Sequence, residues 1–288
     1  MKFFSRKKKA AEKQESPKYK FKFKIGIAFS GGGARGFAHL GAIRAFEEAG
    51  IRFDYVAGTS VGSIAGALYA AGYSYEQMYE FAKTLTVKEI RNSKLFWVPS
   101  RTENIANAVR RFAGDLTFRD LKLPFACCAV DLNTGNEIVL TEGDVPKAVS
   151  ASSAVPLIFQ PVEWGEYRLV DGGLQNTIPA DVVRGMGAEF VVSVDLNSAR
   201  GSGTVTNKLL DVAWATFNIA MKNSALKGAM NTDLMIYPDL TAFSATKPDG
   251  MEQMIEEGYR ATKEAIPQLL YAVGAIKNLP QTQPKTEA

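Results

Sequence analysis

The stretch Gly58-Thr59-Ser60-Val61-Gly62 constrains this chain more than any other. It is a G-x-S-x-G between the apolar run Tyr55-Val56-Ala57 and the small, mostly apolar run Ser63 to Ala71, which reads as strand, tight turn and helix. A serine on such a turn takes up a strained backbone conformation, and the flanking glycines let strand and helix pass without Cβ clashes. Its hydroxyl then projects outward beside free backbone N–H groups and the positive end of a helix dipole. The same five residues also fit a plain glycine-rich turn in which Ser60 only caps the helix. Their surroundings decide between nucleophile and cap.

Upstream, Tyr19, Phe21, Phe23, Ile25, Ile27 and Phe29 alternate first with lysines and then with Gly26 and Ala28. This predicts a strand over 19–29 that enters a doubly covered interior after Lys24. It runs into Ser30-Gly31-Gly32-Gly33-Ala34-Arg35-Gly36, followed by a helix with Leu40, Ile43 and Phe46 on one side and Gly50 as its C-cap. A second strand, Phe53 to Ala57, feeds the turn at Ser60. Strand, glycine loop, helix, strand, glycine turn, helix is the opening of a doubly wound α/β fold, with both glycine turns at the carboxyl ends of strands.

Further on, helices are predicted over 75–85 and 103–112, a hairpin-like strand pair over 124–132 and 137–141, and an Asp144-capped helix over 145–152. Two extended pieces, 161–164 and 167–170, lead straight into Asp171-Gly172-Gly173. A buried strand over 189–195, a polar Gly/Ser loop over 197–206 and a strand over 234–237 complete the sheet. The helix over 209–221 is apolar on most faces and reads as a core or oligomer helix, and that over 251–265 as interrupted near Pro267. Leu95-Phe96-Trp97-Val98-Pro99 is an apolar cluster suited to tertiary packing or to a lid facing lipid.

Of the 288 residues, 46% are hydrophobic and 22% charged, and no Pro/Gly/Ser-rich linker divides the middle, so one globular domain over 19–277 is expected. The net charge of +4 conceals an asymmetry, because up to Lys24 ten basic residues face only Glu12 and Glu15. Residues 1–18 are thus expected to form a basic flexible arm, solubilising or drawn to an anionic membrane surface, and 278–288 a disordered tail. No apolar run reaches the roughly 18 residues of a membrane span, and no hydrophobic segment follows the N-terminal charges, so the expected location is cytoplasmic with peripheral contact at the inner membrane face. The adjacent Cys127 and Cys128 would point to opposite faces of a strand and are expected to stay free.

Gly31 to Gly36 spells a dinucleotide fingerprint, but the acidic residue such a site needs at the end of the next strand is missing, because the G-x-S-x-G turn stands there. No G-K-[ST] follows the glycines either. The alternative is an oxyanion loop, whose successive N–H groups face one point at a helix N-terminus. A nucleophilic serine needs a base, and the only histidine, His39, precedes Ser60 rather than following it. Asp171 ends a strand with two glycines clearing its approach, and becomes a competent base if burial raises its pKa. Asp131 and Asp195 also end strands, but without a His/Cys/Asp cluster at ligand spacing no metal is expected. No cofactor is expected either.

The glycine loop followed by His39, the GTSVG turn and the Asp171-Gly172-Gly173 triplet, in this order, resemble the patatin-like phospholipase family in its bacterial, single-domain type, over roughly Ile25 to Asp195. The resemblance implies a three-layer α/β/α sandwich with a mostly parallel central sheet, and hydrolysis of lipid acyl esters by a Ser-Asp dyad without histidine. Ser60 would be the nucleophile and Asp171 its partner, with Gly31, Gly32, Gly33 and Arg35 supplying the oxyanion hole. Ser150 to Pro156 resembles a further block of the family and is read as support near the site. Arg35 is open to two roles, a lipid phosphate contact or a salt-bridged scaffold. The function expected is a serine acyl hydrolase acting on phospholipids or lysophospholipids, with no nucleic-acid partner. Alternatives are an acyltransferase sharing the same acyl-enzyme and a nucleotide-binding regulatory module. Head group, chain length and oligomeric state are not written in the sequence.

Overall fold

In a computed structural model, the structure describes residues 19–85, 101–198, 209–274 and 276–277. The basic arm, the Leu95 to Pro99 cluster, most of the Gly/Ser loop and the polar tail lie outside the described residues. Eight strands form one mixed sheet, in the order β6 (Val162–Trp164), β7 (Tyr167–Asp171), β4 (Phe125–Asp131), β3 (Tyr55–Thr59), β2 (Ile25–Phe29), β8 (Phe190–Val194) and β9 (Leu234–Ile236), with β5 (Glu137–Leu140) also paired to β4. The block from β4 to β9 is parallel, whereas β5 and β7 each pair antiparallel with β4 and β6 pairs antiparallel with β7.

Helices cover both faces because the strands bury both. Ile27, Phe29, Val56, Phe125, Val192 and Val194 face a thick layer made by α1 (Phe37–Ala49), α2 (Val61–Ala71), α3 (Tyr75–Thr84), α4 (Glu103–Ala113), α5 (Val145–Ser152) and α8 (Met251–Ala272). The alternate residues Ala28, Ala57 and Ala126 are small, and this lets the short α6 (Ala180–Gly185) seat Ala180 and Val183 against the other face, beside Ala225 of α7 (Leu209–Met230). The result is the three-layer α/β/α sandwich that the resemblance implied. Among the described residues no helix is long and apolar enough to cross a membrane.

Four elements depart from the sequence reading. The strand expected over 19–29 is broken. β1 (Tyr19–Lys20) pairs antiparallel with β10 (Ile276–Lys277) in a separate ribbon, and β2 starts only at Ile25. Side chains interrupt the ladder where the chain enters the sheet: the Lys24 N–H donates to Glu189 Oε2 (2.9 Å), the Ile25 N–H to Asp54 Oδ2 (2.9 Å) and Lys24 Nζ to Asp54 Oδ1 (2.7 Å). α7 continues nine residues past Met221, and it is no core helix. Phe217 and Met221 are buried, but Ile219 is 61% and Met230 88% exposed. Pro267 does not interrupt α8, which runs to Ala272 because Leu269 and Val273 beyond the proline are fully buried in the core. The short α6 was not foreseen.

Candidate active site

The turn between β3 and α2 carries Ser60 at φ 54° and ψ −127°, one of only two non-glycine residues with positive φ among the described residues. That region is costly for an L-residue and persists only where the surroundings enforce it. Here a Cβ on Gly58 would overlap the Gly62 carbonyl, and one on Gly62 the Phe29 carbonyl, so the sharp crossing of β3, α2 and β2 requires both glycines. The strained turn is also tied by hydrogen bonds. The Ser60 N–H donates to Ser152 Oγ (2.9 Å), which itself donates to the Cys128 carbonyl (2.6 Å), and the Ser60 carbonyl accepts from Ser63 Oγ (2.6 Å). One residue earlier, Thr59 Oγ1 donates to the Asn176 carbonyl (2.7 Å).

Asp171 reaches Ser60 because β7 runs against β4. β5 takes one edge of β4 from Cys127 to Val130, so β3 and β7 share the other, where Thr59 is level with Cys128 and Asp171 with Ala129 and the two oppositely running strands meet end to end. Ser60 Oγ donates to Asp171 Oδ2 at 2.6 Å, and the Gly173 N–H donates to Oδ1 at 2.8 Å. Asp171 is fully buried, and desolvation pushes its pKa up to about 7 against the opposing pull of these two hydrogen bonds. A carboxylate in such a setting is a far better base than an ordinary aspartate.

The glycine loop lies against the same serine. A Cβ on Gly31 would stand 3.3 Å from Ser60 Cβ. Of the four residues named for the oxyanion hole, Gly31 has its N–H spent on the Thr177 carbonyl (3.0 Å), which removes it from the free donors. The Gly32 and Gly33 N–H groups have no hydrogen-bond partner among the described residues, while that of Ala34 is held by the Ala245 carbonyl (2.8 Å). Gly33 sits at φ 59°, and a Cβ there would overlap the same Ala245 carbonyl, so this turn of the loop demands glycine. Arg35 is half-buried and its Nε donates to the Phe243 carbonyl (3.0 Å), a scaffold contact to a distant loop. Its pKa is lowered by that burial.

His39 lies behind the loop. It is fully buried, its Nε2 donates to the Ser30 carbonyl (2.8 Å), and its ring stands edge-on to Phe29. Desolvation pulls its pKa down to about 4. Below the ordinary value near 6.5 the unfolded chain takes up a proton that the buried ring refuses, so His39 makes stability fall as pH drops from about 6.5 to about 4. His39→Gln is expected to lose this contribution, so that its melting temperature gains on the parent's as pH falls from about 6.5 to about 4, to destabilise by about 1–3 kcal/mol at neutral pH through the lost buried contact, and to change ester turnover less than about tenfold. A larger loss of turnover in folded protein would reinstate His39 as the base. Asp131, by contrast, closes the Asn133-Thr134 turn, and Asp195 accepts from the Asn197 N–H (2.9 Å).

Ser60 opens into a cavity of about 300 Å³ whose walls include Phe37, Leu40, Leu68, Phe81, Phe159 and Trp214. Its few hydroxyl-bearing wall residues are Ser60, Ser153 and Thr246. Sequence reasoning missed the cavity, and it missed Ser152 as the acceptor for the Ser60 N–H. The one sequence signal for the latter was the run Ser150-Ala151-Ser152-Ser153, three hydroxyls in four positions before a proline-ended segment.

Comparison with known proteins agrees with this architecture. The patatin-like phospholipase family profile matches residues 27–184. An uncharacterized NTE family protein of Mycobacterium tuberculosis is 32% identical over 183 residues, which make up 61% of this chain and 50% of that protein. Patatin-like phospholipase domain-containing protein 6 of Homo sapiens is 35% identical over 185 residues, 60% of this chain and 13% of that protein. The chain thus spans half or less of the length of these curated relatives. Among solved structures, VipD from Legionella pneumophila superposes with a TM-score of 0.58 at 14% identity, covering 87% of this chain and 67% of that one, a likeness of fold. With its family profile matched over more than half of its length, the chain belongs to the patatin-like phospholipase family.

Proposed function

We propose that this chain is a serine acyl hydrolase that cleaves carboxylic esters of phospholipids or lysophospholipids through a Ser60–Asp171 dyad. The observation that carries the reading is the 2.6 Å hydrogen bond from the strained Ser60 to a buried carboxylate, at the mouth of an apolar cavity. Asp171 Oδ2 takes the Ser60 proton as Oγ attacks the ester carbonyl, while the Gly173 N–H keeps Oδ1 fixed so that one oxygen faces the nucleophile. The free Gly32 and Gly33 amides, at the entry to α1, receive the developing oxyanion. The proton on Asp171 then passes to the departing alkoxide, and water repeats the sequence on the acyl-enzyme to release the fatty acid. The apolar wall supports an acyl chain rather than a polar substrate, since it offers an alkyl tail burial at roughly 25 cal/mol per Å².

A fluorophosphonate probe is expected to label Ser60 alone, and labelling that persists in Ser60→Ala, mapped to another residue, would refute the assignment. The cavity itself is tested by Ala108→Phe, which fills space on its α4 wall. Hydrolysis of a long-chain p-nitrophenyl ester is expected to fall at least tenfold, on the order of the 1–3 kcal/mol that overpacking costs, and a two- to four-carbon ester to change little. Equal effects on both chain lengths would move the acyl chain elsewhere.

A further inference from the structure

We propose that Ser153 is a further catalytic residue, whose hydroxyl donates a hydrogen bond to the alkoxy oxygen of the ester bound at Ser60. The inference rests on the acyl-hydrolase reading. Ser153 is 6% exposed, it lines the same cavity as Ser60, and its Oγ has no hydrogen-bond partner among the described residues. The other hydroxyls on that wall are occupied: Ser60 Oγ by Asp171 at 2.6 Å, and Thr246 Oγ1 by Ser244 Oγ at 3.0 Å. A buried hydroxyl left unpaired is destabilising, and one carried by a residue that lines a cavity gains its partner from whatever fills that cavity once its side chain turns toward it.

The backbone fixes Ser153 beside the reacting atoms. Its neighbour on one side, Ser152, accepts the Ser60 N–H at 2.9 Å, and the carbonyl of its neighbour on the other side, Ala154, accepts the Asp171 N–H at 3.0 Å. An ester bound here offers two acceptors near Ser60. The carbonyl oxygen is matched by the Gly32 and Gly33 amides, and the acyl tail beyond it has no polar atom. The alkoxy oxygen is the acceptor left over, and Ser153 is the donor left over. When the tetrahedral intermediate collapses, the carbon–alkoxy bond breaks, its electron pair goes to that oxygen, and the proton held on Asp171 follows. Ser153 keeps its own proton throughout. Its hydrogen bond strengthens as negative charge grows on the leaving oxygen, so it acts in the transition state more than in the bound ester.

The test compares two esters of one acyl chain, an alkyl ester, whose leaving oxygen needs help, and a p-nitrophenyl ester, whose leaving oxygen needs little. Ser153→Ala is expected to lower kcat/KM for the alkyl ester at least about tenfold more than for the aryl ester, with a melting temperature at or above the parent's. A purely structural role would depress both esters alike and lower the melting temperature. Equal losses on the two esters, or none on either, overturn the proposal for Ser153 while leaving the dyad intact. A parent protein that hydrolyses neither ester and whose Ser60 resists the fluorophosphonate overturns the acyl-hydrolase reading and this inference together.

Discussion

Ser60→Ala is expected to reduce ester turnover by on the order of 10⁴-fold or more, the scale on which covalent catalysis fails when its nucleophile is removed. The residue does two things at once. On the proposed reading its hydroxyl supplies the attacking oxygen, and its backbone, at φ 54°, holds that oxygen at the cavity mouth at a conformational cost that no bound group offsets in the free protein. Separating the two makes the prediction sharper. Ser60→Gly deletes the nucleophile and also releases the strain, since glycine occupies positive φ freely, at a gain of roughly 1–2 kcal/mol. It is therefore expected to be as inactive as Ser60→Ala yet more resistant to thermal unfolding than either that variant or the parent. Turnover of a short soluble ester and differential scanning calorimetry read the two effects. Activity within tenfold of the parent in either variant would remove Ser60 from the chemistry, and a Ser60→Gly variant less stable than Ser60→Ala would show that the turn is not strained.

Much of this site was legible from local sequence because its parts are backbone devices. A turn that crosses two strands and a helix needs glycine on both sides of the serine, so Gly58 and Gly62 announce it. The loop after β2 and the triplet after β7 carry their own glycines for the same reason. The Ser60–Asp171 hydrogen bond joins residues 111 apart, and only the order of motifs hinted at it. What stayed hidden depends on contacts between distant segments. The sequence offers the Gly31, Gly32 and Gly33 amides as equals, but Thr177, from the turn beyond β7, takes one of them. Ser152 lies 92 residues from the serine whose N–H it holds, and its own neighbourhood offers only a serine-rich run that does not say which hydroxyl plays that role. The broken first strand has the same origin, since Asp54 and Glu189 reach in from other elements to take the donors that a ladder would use. For α7, the mixed apolar and polar sides beyond Met221 gave no clean period, because the helix rests on the protein along Phe217 and Met221 while leaving Ile219, Leu226 and Met230 outside.

Asp171→Asn is expected to lower turnover by about 10²- to 10⁴-fold, the usual contribution of a positioned general base, while leaving the fold intact. Asparagine keeps the shape and still accepts the Gly173 N–H, but it cannot take the Ser60 proton. The parent's kcat/KM is expected to rise with pH along a limb centred near 7, because burial holds the Asp171 pKa at about 7 and only the ionised form is a base. Stability should move the opposite way. Between the ordinary carboxylate value of 3.8 and about 7 the native state keeps a proton that the unfolded chain has released, so Asp171's own contribution weakens the parent as pH rises through this window. At about 1.4 kcal/mol per pKa unit the full effect is a few kcal/mol. The substituted amide carries no charge at any of these pH values and escapes the penalty. The variant should thus unfold at about the same denaturant concentration as the parent near pH 4 and at a clearly higher one near pH 8. His39 titrates identically in both proteins and cancels from the difference. If the two proteins show parallel stability curves from pH 4 to 8, Asp171 is not the buried titrating group. If the variant retains the acid limb near 7, the base lies elsewhere. Both results together would dismantle the dyad, whereas loss of activity with loss of the stability slope ties one carboxylate to the cost of burial and to the proton it is buried to accept.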